Sequence, residues 1–235
     1  MRRLGVIFAF ALAMAGGFAP LSWPADAREA EPAPLAAMPA PAIDRLTLAA
    51  ECLDRGDDTG AVPHLKAHVK AHPDALILRL HLAEVLRKLG RTSEAINHFE
   101  RFIRDAQGSA GPANDRLVQA HTRLMELAED DYTENLHRGI GLVLLVRKWT
   151  ADASRRDETT SEQTLAKAVA ALRAALESQP CDARANIYLA EALGRLGQHS
   201  AARTAHRAAR AGLPDASVTD AEIARMNAEF PPEQR

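Results

Sequence analysis

LILRLHLAEVLRKLGRTSEAINHFERFIRDA, residues Leu76–Ala106, is the stretch whose reading decides the fold. In its first half the apolar residues are Leu78, Leu82, Val85, Leu86 and Leu89. Their spacing of about three, four and seven fits one face of an α-helix and not the alternation of a strand. Ala83 follows Leu82, and a small side chain beside a large one lets a second helix come close. Gly90 supplies a left-handed stop without a Cβ penalty. Ser93 is expected to cap the next helix, with Thr92 the alternative. That helix carries Ala95, Ile96, Phe99, Phe102 and Ile103 on one face. A single short helix of this kind buries too little to persist in water, so each must pack on neighbours. That is the physical reason to look for copies.

Copies are present. A shift of about 34 residues, the tetratricopeptide period, carries Leu82-Ala83 onto Leu48-Ala49, Leu86 onto Cys52, Gly90 onto Gly56, Ala95 onto Ala61, Phe99 onto Leu65 and Phe102 onto His68. Pro73 closes that copy, where a proline cannot continue a helix. Near the C-terminus the spacing returns as Leu189-Ala190, Leu193, Gly197, Ala202, His206, Ala209 and Pro214, preceded by Pro180. With three segments in phase, roughly 42–75, 76–107 and 183–214, the chain resembles the tetratricopeptide repeat (TPR) family. The family's first-helix aromatic is Arg45, Arg79 and Asn186 here, and its glycine after the leucine is alanine in all three copies. The resemblance implies an all-α, right-handed α-solenoid of TPR-like helical pairs, with an irregular middle and a C-terminal capping helix.

The irregular middle lies between the phased halves. Asp115–Ala128 and Tyr132–Trp149 read as helices, the second with the apolar run Ile140–Val146. Thr150–Thr160 is a polar break, and Thr164–Ser178 reads as a third helix. Three helices between two paired halves break strict pairing. The preferred arrangement pairs Tyr132–Trp149 with Thr164–Ser178 and leaves Asp115–Ala128 as a spacer. The alternative pairs Asp115–Ala128 with Tyr132–Trp149. Beyond the last repeat, Thr219-Asp220-Ala221-Glu222 matches a capping box, and a short helix to about Ala228 is expected to cover the last repeat.

At the N-terminus Arg2 and Arg3 precede the apolar run Leu4–Ala19, and Ala25-Asp26-Ala27 offers a small-x-small end before Arg28. This is the layout of a secretory signal peptide, residues 1–27, with cleavage expected after Ala27; the run is short for a bilayer-spanning helix, and an uncleaved anchor is the alternative. No Cys follows the run to anchor a lipid, and no other stretch is expected to span a membrane in the mature chain. Residues 28–41, REAEPAPLAAMPAP, are Ala- and Pro-rich without amphipathic period and read as a linker. Residues 42–230 then form the repeat domain and 231–235 a C-terminal tail. The expected location is outside the cytoplasm, periplasmic or secreted. Removing Arg2, Arg3 and Asp26 from 29 Lys+Arg and 31 Asp+Glu leaves 27 against 30. That near balance argues against a nucleic-acid binder.

His64, His68 and His72, four apart on one helix, are the sharpest candidate for a metal. The competing reading has His68 filling the slot of Phe102, with Lys66 and Lys70 opposing a cation, so no metal and no cofactor are expected. Cys52 and Cys181 lie in repeats too far apart to bridge, and both are expected as free thiols, Cys52 buried. Arg203, His206, Arg207 and Arg210 form a basic stretch that reads as a solvated face. Glu129-Asp130-Asp131 with Glu134 favours a helix N-terminus and lacks the spacing of a calcium loop. There is no phosphate loop, His-Glu-x-x-His or Cys-x-x-Cys, and Gly139-Ile140-Gly141 sits inside a helix pattern with no strand before it. An enzyme is not expected.

What the family resemblance implies for function is a protein partner, a peptide or helix segment, held in a concave groove lined by the first helices. The groove positions would be Leu46, Ala50 and Leu53; Leu80, Glu84, Arg87 and Lys88; and Ile187, Glu191 and Arg195. The Lys/Asn clamp that some members use for a C-terminal carboxylate is replaced by Leu46 and Ala50, and by Leu80 and Glu84. The expected function is an exported interaction scaffold, or an accessory subunit in envelope assembly, secretion or a periplasmic enzyme complex.

Overall fold

The computed structural model describes residues 44–108, 112–152, 157–215 and 217–229. The proposed signal peptide, the Ala/Pro-rich linker and the C-terminal tail lie outside them. Among the described residues every regular element is helical, as the solenoid reading requires. The elements are α1 (Arg45–Asp54), α2 (Asp58–Ala71), α3 (Leu76–Lys88), α4 (Thr92–Ala106), α5 (Pro112–Asp115), α6 (Leu117–Glu126), α7 (Asp131–Ala151), α8 (Glu158–Ser178), α9 (Ala183–Arg195), α10 (His199–Ala211) and α11 (Asp220–Glu229).

Helices α1 and α2, α3 and α4, and α9 and α10 pack as pairs. Each pair turns on the glycine that the spacing singled out. Gly56, Gly90 and Gly197 have φ of 74°, 70° and 72°, in the left-handed region, where an L side chain is strained. The helix after Gly90 starts two residues earlier than a Ser93 cap would place it. Arg91 is its N-cap, and neither Thr92 nor Ser93 caps it. Instead Arg91 Nη2 reaches Glu94 Oε1 at 2.5 Å, a charge pair in the first turn.

The middle of the chain resolves around α7. It packs most extensively on α8, as the preferred pairing holds, and it also packs on α6. Both α7 and α8 are 21 residues long, against 13 for α3. Helix α8 begins six residues before the expected Thr164 because Asp157 caps it, its carboxylate accepting from Thr160 N at 3.4 Å. Asp130 caps α7 in the same way, accepting from Thr133 N at 2.7 Å. The acidic turn therefore has a local role. Gly139 has a packing role. A Cβ there would lie 2.5 Å from Leu172 Cγ and 3.3 Å from the Ala168 carbonyl, so the missing side chain lets α8 seat against α7.

One continuous core runs through all the pairs, from Ala49 in α1 to Met226 in α11. Phe99, Phe102, Leu82, Leu86 and Leu193 are among its fully buried members. Cys52 is buried within it and Cys181 is exposed, both unbridged. The basic stretch on α10 is split. Arg203, Arg207 and Arg210 face solvent while His206 is buried, because the helical period turns it toward the core with Ala202 and Ala209.

Two of the three polar residues in the family's aromatic slot, Arg79 and Asn186, share a structural role. Arg79 is only 2 % exposed and its Nη2 donates to the Pro73 carbonyl at 2.8 Å. Asn186, 107 positions further on, donates through Nδ2 to the Pro180 carbonyl at 3.4 Å and to the Asp182 carbonyl at 2.8 Å. Each side chain ties its helix to the proline that ended the preceding pair.

Candidate partner-binding face

The groove positions fall into four groups. Leu46 and Leu53 on α1 are half-buried and Ala50 is exposed. Lys88 and Arg195 are exposed at the ends of α3 and α9. Leu80 and Ile187, expected as groove contacts, are only 2 % and 3 % exposed and belong to the core. Their apolar side chains are removed from water by neighbouring helices, so neither is offered to a partner.

Glu84 and Glu191 occupy the same position in their repeats, 107 residues apart, and each is gripped by a neighbouring helix. Glu84 Oε1 accepts from Arg123 Nε at 2.9 Å and from Gln119 Nε2 at 3.0 Å, both on α6. Arg87 Nε donates to its other oxygen at 3.0 Å. Burial pushes the Glu84 carboxyl up, and the bonds from Arg123, Gln119 and Arg87 outweigh it and hold it below the usual range. Glu191, 3 % exposed, accepts from Arg147 of α7, Nε to Oε1 at 3.2 Å and Nη2 to Oε2 at 2.5 Å. Arg195 Nε lies 3.3 Å from the same carboxylate. These carboxylates tie separate helices together, α3 to α6 and α9 to α7. Glu191 is thereby a buried cross-link instead of an open contact.

The C-terminal segment lies across α9. Glu222 is fully buried, and Arg184 Nε donates to it at 3.0 Å. The capping box forms as read, Thr219 N donating to Glu222 Oε2 at 2.8 Å and Glu222 N to Thr219 Oγ1 at 3.2 Å. Thr219 Oγ1 also lies 3.2 Å from Gln107 Oε1, across 112 residues of chain. Burial pushes the Glu222 carboxyl up, and Arg184 with these hydrogen bonds holds it below the usual range. Arg225 sets its guanidinium 5.8 Å from the Tyr188 ring centre and donates to the Tyr188 hydroxyl at 3.4 Å.

Behind this face two histidines meet inside the domain. His121 of α6 and His137 of α7 place their Nδ1 atoms 3.0 Å apart, so one ring must donate and the other accept. Burial, with the charge of Arg184, pushes His137 down to about 3; burial also drives His121 well below its ordinary value. A cavity of about 260 Å³ between α4, α7 and α9 reaches His137, Tyr132 and Arg184. Tyr132 donates its hydroxyl to Asp182 at 2.5 Å. His64 and His68 are half-buried and His72 is exposed. The His68 and His72 rings lie 4.5 Å apart. No group of three or more metal-ligating side chains converges among the described residues.

Two signals in the sequence pointed at parts of this arrangement. His121 lies between Leu117 and Leu124 on the apolar face of α6, which marks it as a core residue. The capping box places Glu222 at a helix start. Nothing in the sequence pairs Glu222 with Arg184, or Arg147 with Glu191, because those contacts depend on how separate helices stack.

A chain built from stacked helical pairs, with charged side chains tying separate helices together, is a scaffold of the helical-repeat class. The tetratricopeptide repeat family model matches residues 46–110 and 163–217, and the chain belongs to that family. Two solved structures similar to it bear the titles "Crystal structure of MamA protein" and "Crystal structure of MamA". The first is 17% identical, covering 81% of this chain and 96% of that one, with a TM-score of 0.35. The second is 19% identical, covering 70% and 94%, with a TM-score of 0.34. No curated protein matches the chain.

Proposed function

We propose that this chain is an exported scaffold that takes a segment of a partner protein on the face of its first helices, without catalysing a reaction. The observation that carries the reading is the α1 face. Leu46 is half-buried and Ala50 exposed on it, while Leu53 packs against the core, and the family resemblance implies that first helices line the partner groove. Lys88 adds an exposed cation on α3, while Arg195 at the end of α9 is paired with Glu191. The partner that suits this face is a protein segment with apolar anchors and acidic residues. Export is supported by the layout of residues 1–27. No helix among the described residues is long and apolar enough to cross a membrane.

The test is affinity capture from envelope extract with the mature chain and with Ala50→Arg/Lys88→Glu. Both positions are exposed, so the melting temperature should stay unchanged while captured partners are lost. Identical capture by both chains would refute the face. Mass spectrometry of the protein expressed in its host should find Arg28 at the N-terminus; an intact Met1 start in the cytoplasmic fraction would refute export.

A further inference from the structure

The C-terminal helix is held differently from the others. Every helix of the three regular pairs has its partner helix alongside, whereas α11 packs on α9 alone to any extent. It has 10 residues, fewer than an isolated helix needs to persist in water, so docking is what keeps it folded. The docking itself is uneven. Its strong element is the Arg184–Glu222 pair, with the acid fully buried and the arginine side chain 12% exposed. Met226, one turn on, is 3 % exposed. The remaining contacts fit poorly. Arg225 Nε is buried without a hydrogen bond and stands 4.0 Å from Glu191. Glu229 is pushed up by burial and by the like charge of Glu191.

We infer that α11 is an internal occupant of a helix-binding face on α9. The partner this face fits is an amphipathic helix that presents a carboxylate to Arg184 and an apolar side chain one turn later. This rests on the scaffold reading above and extends it from the α1 face to a second contact. The chemistry follows from what opening leaves behind. When α11 lifts, Arg184 loses the carboxylate it donates to, and its guanidinium on the uncovered α9 face favours a new carboxylate partner. The Glu222 and Met226 positions, four apart, lie on one helical face, which defines the spacing a competing helix must carry. A competitor without an acid at the Glu229 position, and with a better-matched group than Arg225, gains over the internal segment. The tethered segment opposes it at a high effective concentration, so the face opens only to a helix that fits better.

Two measurements on the full mature chain test this. Hydrogen exchange on the wild-type chain should show α11 amides exchanging by local opening, at least 100-fold faster than those of α9. Equal protection in α11 and α9 would make α11 part of the global folding unit and overturn the proposal. The second measurement titrates a fluorescent synthetic peptide of residues 217–229. It should bind Glu222→Gln at least tenfold tighter than wild type, and Arg184→Met should abolish that gain in the Glu222→Gln background. No gain in Glu222→Gln overturns the proposal; if that variant loses its helical signal, the exchange measurement decides instead. The probe is made from this chain and reads only α9. Failure here with partner capture intact sinks the α9 face alone, and the reverse outcome sinks the α1 face alone.

Discussion

Replacing Gly139 by alanine should destabilise the domain even though alanine is the better helix former. The added Cβ would stand 2.5 Å from Leu172 Cγ and 2.8 Å from Leu172 Cδ2. Leu172 is fully buried and cannot swing into solvent. The Ala168 carbonyl, 3.3 Å away, blocks retreat on the other side. Two residues on in the same helix, a Cβ on Gly141 would meet only His121 Cβ, at 3.5 Å, an ordinary contact. Both substitutions gain the same helix propensity, about 1 kcal/mol. Only Gly139→Ala incurs the cost of overpacking, about 1–3 kcal/mol. The pair should therefore differ by about 1–3 kcal/mol, with Gly141→Ala the more stable. At roughly 2–4 °C per kcal/mol for a domain of this size, the melting temperatures should separate by at least about 2 °C. Urea unfolding followed by far-UV circular dichroism measures the difference directly. Leu172→Ala removes the clashing atoms, so the Gly139→Ala penalty should shrink in that background, leaving a coupling of about 1–3 kcal/mol. If Gly139→Ala is as stable as Gly141→Ala, or the penalty persists without the Leu172 side chain, the close approach of α7 and α8 is not what the glycine is for.

Three further outcomes follow from the same contacts. His121 and His137 both have folded values below their unfolded ones, so they stay neutral in the fold and the unfolded chain takes up more protons. Their contribution is complete above about pH 6.5 and is lost as pH falls toward 3, at up to about 1.4 kcal/mol per pH unit for each ring. His121→Leu/His137→Leu should flatten that dependence in denaturation series between pH 7.5 and 4.5, and an unchanged slope would contradict the assignment. Gly90→Ala should cost about 1–2 kcal/mol from the left-handed backbone alone, since a Cβ there meets nothing within 4 Å; a neutral result would count against the φ of 70°. Glu191→Ala should lose about 3–5 kcal/mol by stranding the half-buried Arg147. Adding Arg147→Met should recover a large part of that loss, and absence of recovery would mean the pair is not coupled.

The regular repeats were legible because their information is local. Leu82, Ala83, Leu86 and Gly90 announce a helix, its packing stripe and its stop within a little over two turns, and the copies at Gly56 and Gly197 repeat the message. The Thr219–Glu222 box was legible for the same reason. The start of α8 was misread because residues 150–160 look polar and broken, while a single Asp157 cap suffices to begin the helix there. Leu80 and Ile187 were assigned to the groove by repeat register alone. Register tells which way a residue points from its own helix and not which neighbour covers it.

By itself, then, the sequence determined the family, the three phased pairs, their glycine turns and the short final helix, since periodicity and capping act over a few residues. It also carries the layout of an export signal in residues 1–27. Only the tertiary structure decided that α7 packs on both α6 and α8, that Gly139 exists to admit Leu172, and that α11 lies against α9 with Glu222 on Arg184. Those outcomes depend on the stacking of helices far apart in the chain. An arginine at 184 and a glutamate at 222 look like any two surface charges until packing removes both from water and leaves each as the other's counter-ion.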